Sequence, residues 1–343
     1  MHYDEKIKVV AELGNKLKNY CQQGFSEKFD KAIELSCQYN PWFTRENILT
    51  AFNSIAVSLA SDKIKKWLQP YGESLSAESK NKIAVIMAGN IPIVGFHDFL
   101  CVLASGNIFI GKLSSQDKFL LPAIAEELIT ICPVWKNDIV FTEEILKGFD
   151  KVIATGSDNS SRYFDYYFGK YPHIIRKNRN SIAVLTGEES LEDLQLLADD
   201  IFLYFGLGCR NVTKVFVPEN YDFSKLKNAF MIYRDRLFNH NKFMNNYEYQ
   251  KSIFLINSIQ HIDFEFCILK EDSSIHSPIS VIHYQYYKSK EEVQEIIENF
   301  KDQIQCIVSK NNFINQSSSF GQSQKPELWD YADGVDTLKF LLH

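Results

Sequence analysis

The sequence predicts an α/β fold, with a helical layer at the N-terminus, a parallel doubly wound sheet, and a smaller second α/β domain. Three observations predict it. From Lys82 onward short apolar runs alternate with helical stretches, the pattern of βαβ units. The runs at 83–87 and 182–185 are continuously apolar, as expected of strands covered on both faces. Before residue 69 the apolar residues recur only at helical spacing, with Ile7, Val10, Leu13 and Leu17 on one face. Thr44 then serves as N-cap for a helix carrying Ile48, Leu49, Phe52, Ile55 and Leu59. A polar break at 72–79 ends this layer. The first strand, 83–87, is followed by a helix over 92–103, a strand at 108–110, a helix over 122–131, and strands at 139–141 and 152–154. A helix over 160–168, a strand at 182–185, a helix over 191–205 and a strand at 215–217 continue the alternation. The expected parts are 1–80, a helical layer; 81–186, the first α/β part; 187–318, a second α/β part carrying Cys209; and 319–343, a segment returning to the body.

Composition excludes several classes. With 343 residues, 45% apolar and 23% charged, the chain can bury a sizeable core and is neither fibrous nor disordered. A formal charge of −6 with scattered Lys and Arg leaves no footprint for nucleic acid. The one small basic cluster, Arg176-Lys177-Asn178-Arg179, suits phosphate groups better than a duplex. No apolar run reaches membrane-spanning length and the first residues are no signal peptide, so the expected location is the cytoplasm. Seven widely spaced cysteines, odd in number and without a C-x-x-C pair, argue against a disulfide framework and against a zinc site.

Four short segments could carry chemistry. In Tyr204-Phe205-Gly206-Leu207-Gly208-Cys209-Arg210-Asn211 a cysteine follows two glycines and precedes a cation that favours its thiolate. The bland alternative is a small hydrophobe in a helix-to-strand connection. Met87-Ala88-Gly89-Asn90-Ile91-Pro92 closes the first sheet strand, where Asn90 either points an amide at a developing oxyanion or caps the next helix. In Gly111-Lys112-Leu113-Ser114-Ser115 the lysine leaves the second strand, either solvated or reaching a ribose or phosphate with Ser114 and Ser115 as further donors. Thr155-Gly156-Ser157 turns a strand into a helix whose free N–H groups can receive a pyrophosphate, although no G-x-G-x-x-G is present. His97 and His173 have no carboxylate at a spacing that marks a general base and are expected to be structural or solvated.

In order and rough spacing these four segments resemble the landmarks of the aldehyde dehydrogenase superfamily. Within it the chain is most similar to the bacterial fatty acyl-CoA reductases that supply aldehyde to luciferase. The resemblance spans residues 80–218. It implies an aldehyde dehydrogenase-like fold with a Rossmann-type cofactor domain. By the same resemblance Cys209 is the nucleophile, Asn90 the oxyanion-hole amide, Lys112 the ribose-holding residue, and Gly156 with Ser157 the turn beneath the pyrophosphate. Departures refine this. Acid-forming members carry a Glu base before the cysteine, whereas this chain reads Lys177-Asn178-Arg179-Asn180-Ser181 there. Without a carboxylate to activate water, a thioester partner is favoured over oxidation to acid. Ser115 stands where NAD-preferring members often hold a Glu, so a 2′-phosphate is tolerated and NADPH is expected, with NADH the alternative. Ser161 replaces a second turn glycine. Only 134 residues follow Cys209 (343 minus 209), so part of the catalytic domain or an oligomerisation arm is expected to be trimmed.

The expected activity is therefore reduction of a fatty acyl-CoA to aldehyde and CoA with NADPH through a Cys209 acyl-enzyme, with no metal. A homo-oligomer or an acyl-transfer enzyme is the expected protein partner. The alternatives are an acyl phosphate or free aldehyde as substrate, and a catalytically silent nucleotide-binding scaffold.

Overall fold

The structure is a computed structural model and describes residues 3–76, 80–156, 158–310 and 313–343. The chain divides into two compact units, Met1–Lys177 with Pro326–His343, and Asn178–Lys325.

The first unit opens with the helices α1 (Tyr3–Gln23), α2 (Glu27–Tyr39), α3 (Arg45–Ser58) and α4 (Ser61–Leu68). Leu13 and Leu17 of α1 are fully buried, as the helical spacing predicts. Ser26 caps α2 by accepting from Phe29 N, and Thr44 caps α3 by accepting from Asn47 N, so each start is written in a hydroxyl side chain. Then come β1 (Lys82–Ile86), α5 (Phe96–Ala104), β2 (Ile108–Lys112), α6 (Leu120–Ile131), β3 (Ile139–Thr142), β4 (Lys151–Thr155), α7 (Asp158–Phe168) and β5 (His173–Arg176). The five strands pair in parallel in the order β3-β2-β1-β4-β5. The order reverses between β1 and β4, and such a switch point opens a crevice beyond the carboxyl ends of the strands.

The second unit contains β6 (Asn180–Val184), α8 (Leu191–Phe202), β7 (Val212–Pro218), α9 (Phe223–Phe230), α10 (Arg234–Phe238), α11 (Asn241–Ile256), β8 (Ile262–Asp263), β9 (Ile268–Glu271), β10 (Val281–Tyr287), α12 (Lys290–Asn299) and β11 (Ile304–Ser309). Its sheet runs β11-β6-β7-β10-β9-β8, parallel except for the β8–β9 pair. A capping box, Ser190 with Asp193, starts α8. The last helix, α13 (Thr337–Leu342), belongs to the first unit, where Lys151 Nζ donates to Phe340 O at 2.9 Å and Asn107 Nδ2 to Leu341 O at 3.2 Å.

Several sequence expectations change. The units divide after Lys177 and Lys325 rather than after 186 and 318, and no unit boundary falls at residue 80. Helix α5 begins at Phe96, because residues 91–95 form a turn in which Ile93 takes a φ of +61°. Strand β5 falls on residues the sequence reading left unassigned and takes in the first member of the basic cluster. That member, Arg176, is buried and ion-paired to Asp98, so it offers no phosphate site. Among the described residues no helix is long and apolar enough to cross a membrane.

Candidate active site

In the first unit three predicted segments converge on the carboxyl edge of the sheet. Ile86 at the end of β1 is level with Lys112 on β2 and with Ala154 on β4, and Met87 N donates to Lys112 O at 3.2 Å. Asn90, Lys112 and Gly156 therefore follow three adjacent strands. Gly89 packs so tightly on the β2 loop that a Cβ would stand 2.5 Å from Ser114 Oγ, which only glycine permits. Asn90 is exposed and does not cap α5, whose N-cap is Gly95. Lys112 donates to Glu144 O at 2.9 Å, Ser114 Oγ accepts from Gln116 N at 3.2 Å, and Ser115 is exposed. Gly156 is half-buried at the end of β4, ahead of α7, while Ser157 lies outside the described residues.

Asp117 braces this edge from below. It accepts from Ile93 N at 2.7 Å, fixing the strained turn after Asn90, and burial pushes its carboxyl up to about 6. Nothing in the sequence marks it, since its partner is 24 residues away. His97 is structural, with Nε2 2.8 Å from Leu328 O, and His173 is an exposed residue with Nδ1 2.8 Å from Tyr171 O.

In the second unit Cys209 sits in the turn between α8 and β7. Of the seven cysteines it is the exposed one. Burial raises the Cys101 and Cys267 thiols well above the ordinary value, which makes them poor nucleophiles at neutral pH. The backbone leading to Cys209 takes three consecutive left-handed conformations, Tyr204 (φ +54°), Phe205 (φ +59°) and Gly206 (φ +74°). Two of these are aromatic residues, which pay a steric penalty there and persist only where the surroundings hold them. Asn211 supplies that hold. Its Oδ1 accepts from Gly208 N at 2.8 Å, and its Nδ2 donates to the carbonyls of Asp200, Ile201 and Leu203 at 3.2, 3.1 and 2.9 Å. Ser181 fastens the other side, with Oγ donating to Cys209 O and accepting from Cys306 N, both at 3.1 Å.

Ser181 also closes the stretch that lacks a base, so the structure brings that carboxylate-free strand start against the cysteine. Arg210 donates to Cys306 Sγ at 3.2 Å, bringing the expected cation to a second thiol on β11. The sequence reading missed Ser181, Asn211 and Cys306. Asn211 alone left a trace, as an amide that can close a turn from two residues past the cysteine. Among the described residues no cluster of His, Cys, Asp or Glu could hold a metal ion.

Beside this turn lies a cavity of about 320 Å³ within the second unit. Residues 206–208 line it, together with Phe202, Phe205, Phe243 and the segment 276–282.

Comparison with known proteins agrees with this architecture. The aldehyde dehydrogenase 21 of Physcomitrella patens superposes with a TM-score of 0.65 at 13% identity, covering 91% of this chain and 75% of that one. An indole-3-acetaldehyde dehydrogenase in complex with NAD+ gives 0.66 at 11% identity, covering 94% and 74%. The fold is that of the aldehyde dehydrogenases. Over 194 residues the chain is 26% identical to a long-chain acyl-protein thioester reductase of Vibrio harveyi, covering 51% of this chain and 40% of that protein. The corresponding protein of Aliivibrio fischeri is 24% identical over 169 residues, covering 45% and 35%. The matched segment thus spans well under half the length of these relatives. Residues 7–230, about two thirds of the chain, match the acyl-CoA reductase (LuxC) family, and the chain belongs to that family.

Proposed function

We propose that the protein reduces an acyl-CoA to aldehyde and free CoA with NADPH, through an acyl-enzyme on Cys209. The observation that carries this reading is the mounting of Cys209: the one exposed thiol, on a strained turn tied down by Asn211 and Ser181. A thiol spent on core packing has no use for such a mount.

Cys209 attacks as thiolate at the acyl carbonyl carbon, a carbon–sulfur bond forms, and the bond to the CoA sulfur breaks. The thiolate of CoA leaves and takes a proton from solvent. We assign the Asn90 amide and the Cys209 backbone N–H to the oxyanion that develops on the carbonyl oxygen. The strand start at Asn180-Ser181, which meets the cysteine turn, carries no carboxylate to activate water, and this favours survival of the thioester over its hydrolysis. After reduction the carbonyl oxygen carries the negative charge of a thiohemiacetal; as the carbonyl re-forms, the Cys209 carbon–sulfur bond breaks and aldehyde leaves.

NADPH, when bound, supplies the hydride for this reduction. The residues fit such a cofactor: strand order reverses between β1 and β4, where such folds open a crevice, Gly89 lets the loop after β1 pack closely on the Ser114 loop, and Lys112 ends the neighbouring strand. Lys112 and Ser114 would hold the ribose, and Gly156 with Ser157 the pyrophosphate. Ser115 puts no negative charge three residues after Lys112, which favours a 2′-phosphate.

The test follows NADPH oxidation and free thiol release together, with acyl-CoAs of several lengths. One thiol appears per NADPH consumed, Cys209→Ala abolishes both, and Asn90→Ala lowers kcat on the order of 10²-fold to 10³-fold. Unchanged turnover in Cys209→Ala contradicts the reading.

A further inference from the structure

We propose that Asp117 and Asn40 are positioning residues for the reaction, and that together they aim the Asn90 amide. Both roles rest on the oxyanion assignment of Asn90 made above.

Asn90 is exposed, whereas the side chains that grip its turn are buried behind it. Asp117, in the loop between β2 and α6, accepts from Ile93 N at 2.7 Å, three residues after Asn90. Asn40, the C-cap of α2, donates through Nδ2 to Gln116 O at 3.3 Å and reaches Gly89 O at 3.5 Å, one residue before Asn90. The Asn40 side chain is itself held, because its Oδ1 accepts from Trp42 N at 3.0 Å. Asp117 N donates to Ser114 O at 3.1 Å, which closes the loop that carries the carboxylate. The turn is therefore gripped on both sides of Asn90 by side chains from two other segments.

This grip stands against two local penalties. Ile93 is β-branched and takes a φ of +61°, a left-handed conformation that costs on the order of 1–3 kcal/mol for such a residue. The Asp117 carboxylate is buried, and among the described residues its Oδ1 has no hydrogen-bond partner. If packing were its only task, an apolar side chain would fill that space without the desolvation. Both penalties meet at one hydrogen bond, between a carboxylate and a backbone N–H, which is a strong kind. What that bond fixes is the path of the chain just after Asn90. An oxyanion donor is effective when it already points to where the charge develops. A misplacement of about 1 Å lowers the rate on the order of 10²-fold.

A double-mutant cycle tests these roles. The rate at which Cys209 takes the acyl group is read as the single burst of free CoA thiol without NADPH, at several acyl-CoA concentrations. Asp117→Ala should slow the burst on the order of 10-fold to 10²-fold and leave the half-saturating concentration unchanged. Asp117→Asn keeps an acceptor for Ile93 N and should recover most of that loss. Asn40→Ala should slow the burst less than Asp117→Ala does. In the Asn90→Ala background no amide remains to be aimed, so neither Asp117→Ala nor Asn40→Ala should slow it further by more than about twofold. Urea melts show which variants fold, and Asn40→Ala carries the cycle if Asp117→Ala does not. Losses that multiply with that of Asn90→Ala overturn the positioning roles, and a folded Asp117→Ala or Asn40→Ala with the wild-type burst overturns the role of that residue; either result leaves Asn90 and Cys209 in theirs. A burst that Asn90→Ala leaves unchanged overturns the oxyanion assignment, and a wild type that is never acylated overturns the catalytic reading; in both cases the positioning roles fall with it.

Discussion

Asn211 makes four hydrogen bonds with one side chain, and all of them end between Asp200 and Gly208, on the segment that delivers Cys209. Three satisfy carbonyls at the end of α8 that the helix leaves without partners, and the fourth closes the turn around the cysteine. Asn211→Ala removes all four at a fully buried position. At the net worth of buried hydrogen bonds it should cost about 2–3 kcal/mol, read by urea denaturation, and lower turnover more than Ser181→Ala does. Unchanged stability would mean that the left-handed run at 204–206 holds itself. This residue also marks a limit of sequence reading. Cys209 was legible because glycines flank it and three other short segments keep it company. Asn211 was half-legible as a turn residue, but its partners on α8 become visible only when the helix end folds back over the turn.

At the scale of elements, two buried carboxylates show how distant segments are fastened. Asp200 on α8 accepts from Gly321 N, Ser323 N and Ser323 Oγ, at 2.6, 3.0 and 2.7 Å, and so clamps the segment after β11 to the helix before the cysteine turn. Burial pushes its carboxyl up to about 6 from the ordinary 3.8. The folded protein therefore binds this proton more tightly than the unfolded chain does. The resulting stabilisation is full below about pH 4 and fades as pH rises through about 6, on the order of 3 kcal/mol in all. Asp200→Asn should remove that part of the slope between pH 4 and 6, leaving the similar part due to Asp117; identical slopes in the two proteins would contradict the clamp's titration. The second carboxylate, Asp98 on α5, pairs bidentately with Arg176 at the end of β5, where Nη2 also donates to Thr337 of α13 at 3.0 Å. Arg176→Met leaves a buried carboxylate without its cation and should destabilise the first unit by about 3–5 kcal/mol in urea melts. Arg176→Met combined with Asp98→Leu should recover most of the loss. In the sequence Arg176 reads as part of a phosphate-binding cluster, because its partner is 78 residues earlier and local charge is all that a linear reading sees.

At the scale of the whole molecule, the alternation of apolar runs and helical periods was enough to place four of the five strands of the first sheet and β6 and β7 of the second, since parallel strands buried on two faces carry a strongly apolar composition, whereas β8 to β11 went unassigned. Strand β5 escaped because it has four residues, ends in a charged arginine, and is apolar only at Ile174 and Ile175. The unit boundary was set nine residues late for a related reason: β6 reads as one more strand in a continuing series, and nothing local reveals that it pairs with β7 and β11 in a different sheet. The candidate site was legible in its landmarks on each unit and illegible in its supports, because landmarks are short motifs whereas Asp117, Ser181 and Cys306 act across long sequence separations. The central claim is that Cys209 becomes acylated, and intact-protein mass spectrometry after incubation with an acyl-CoA, without NADPH, tests it most directly. One acyl group per chain, mapped by proteolysis to the peptide containing Cys209 and absent from Cys209→Ala, is the predicted result. An adduct that persists in Cys209→Ala, or NADPH-dependent turnover by a wild-type protein that never carries an acyl group, would contradict it.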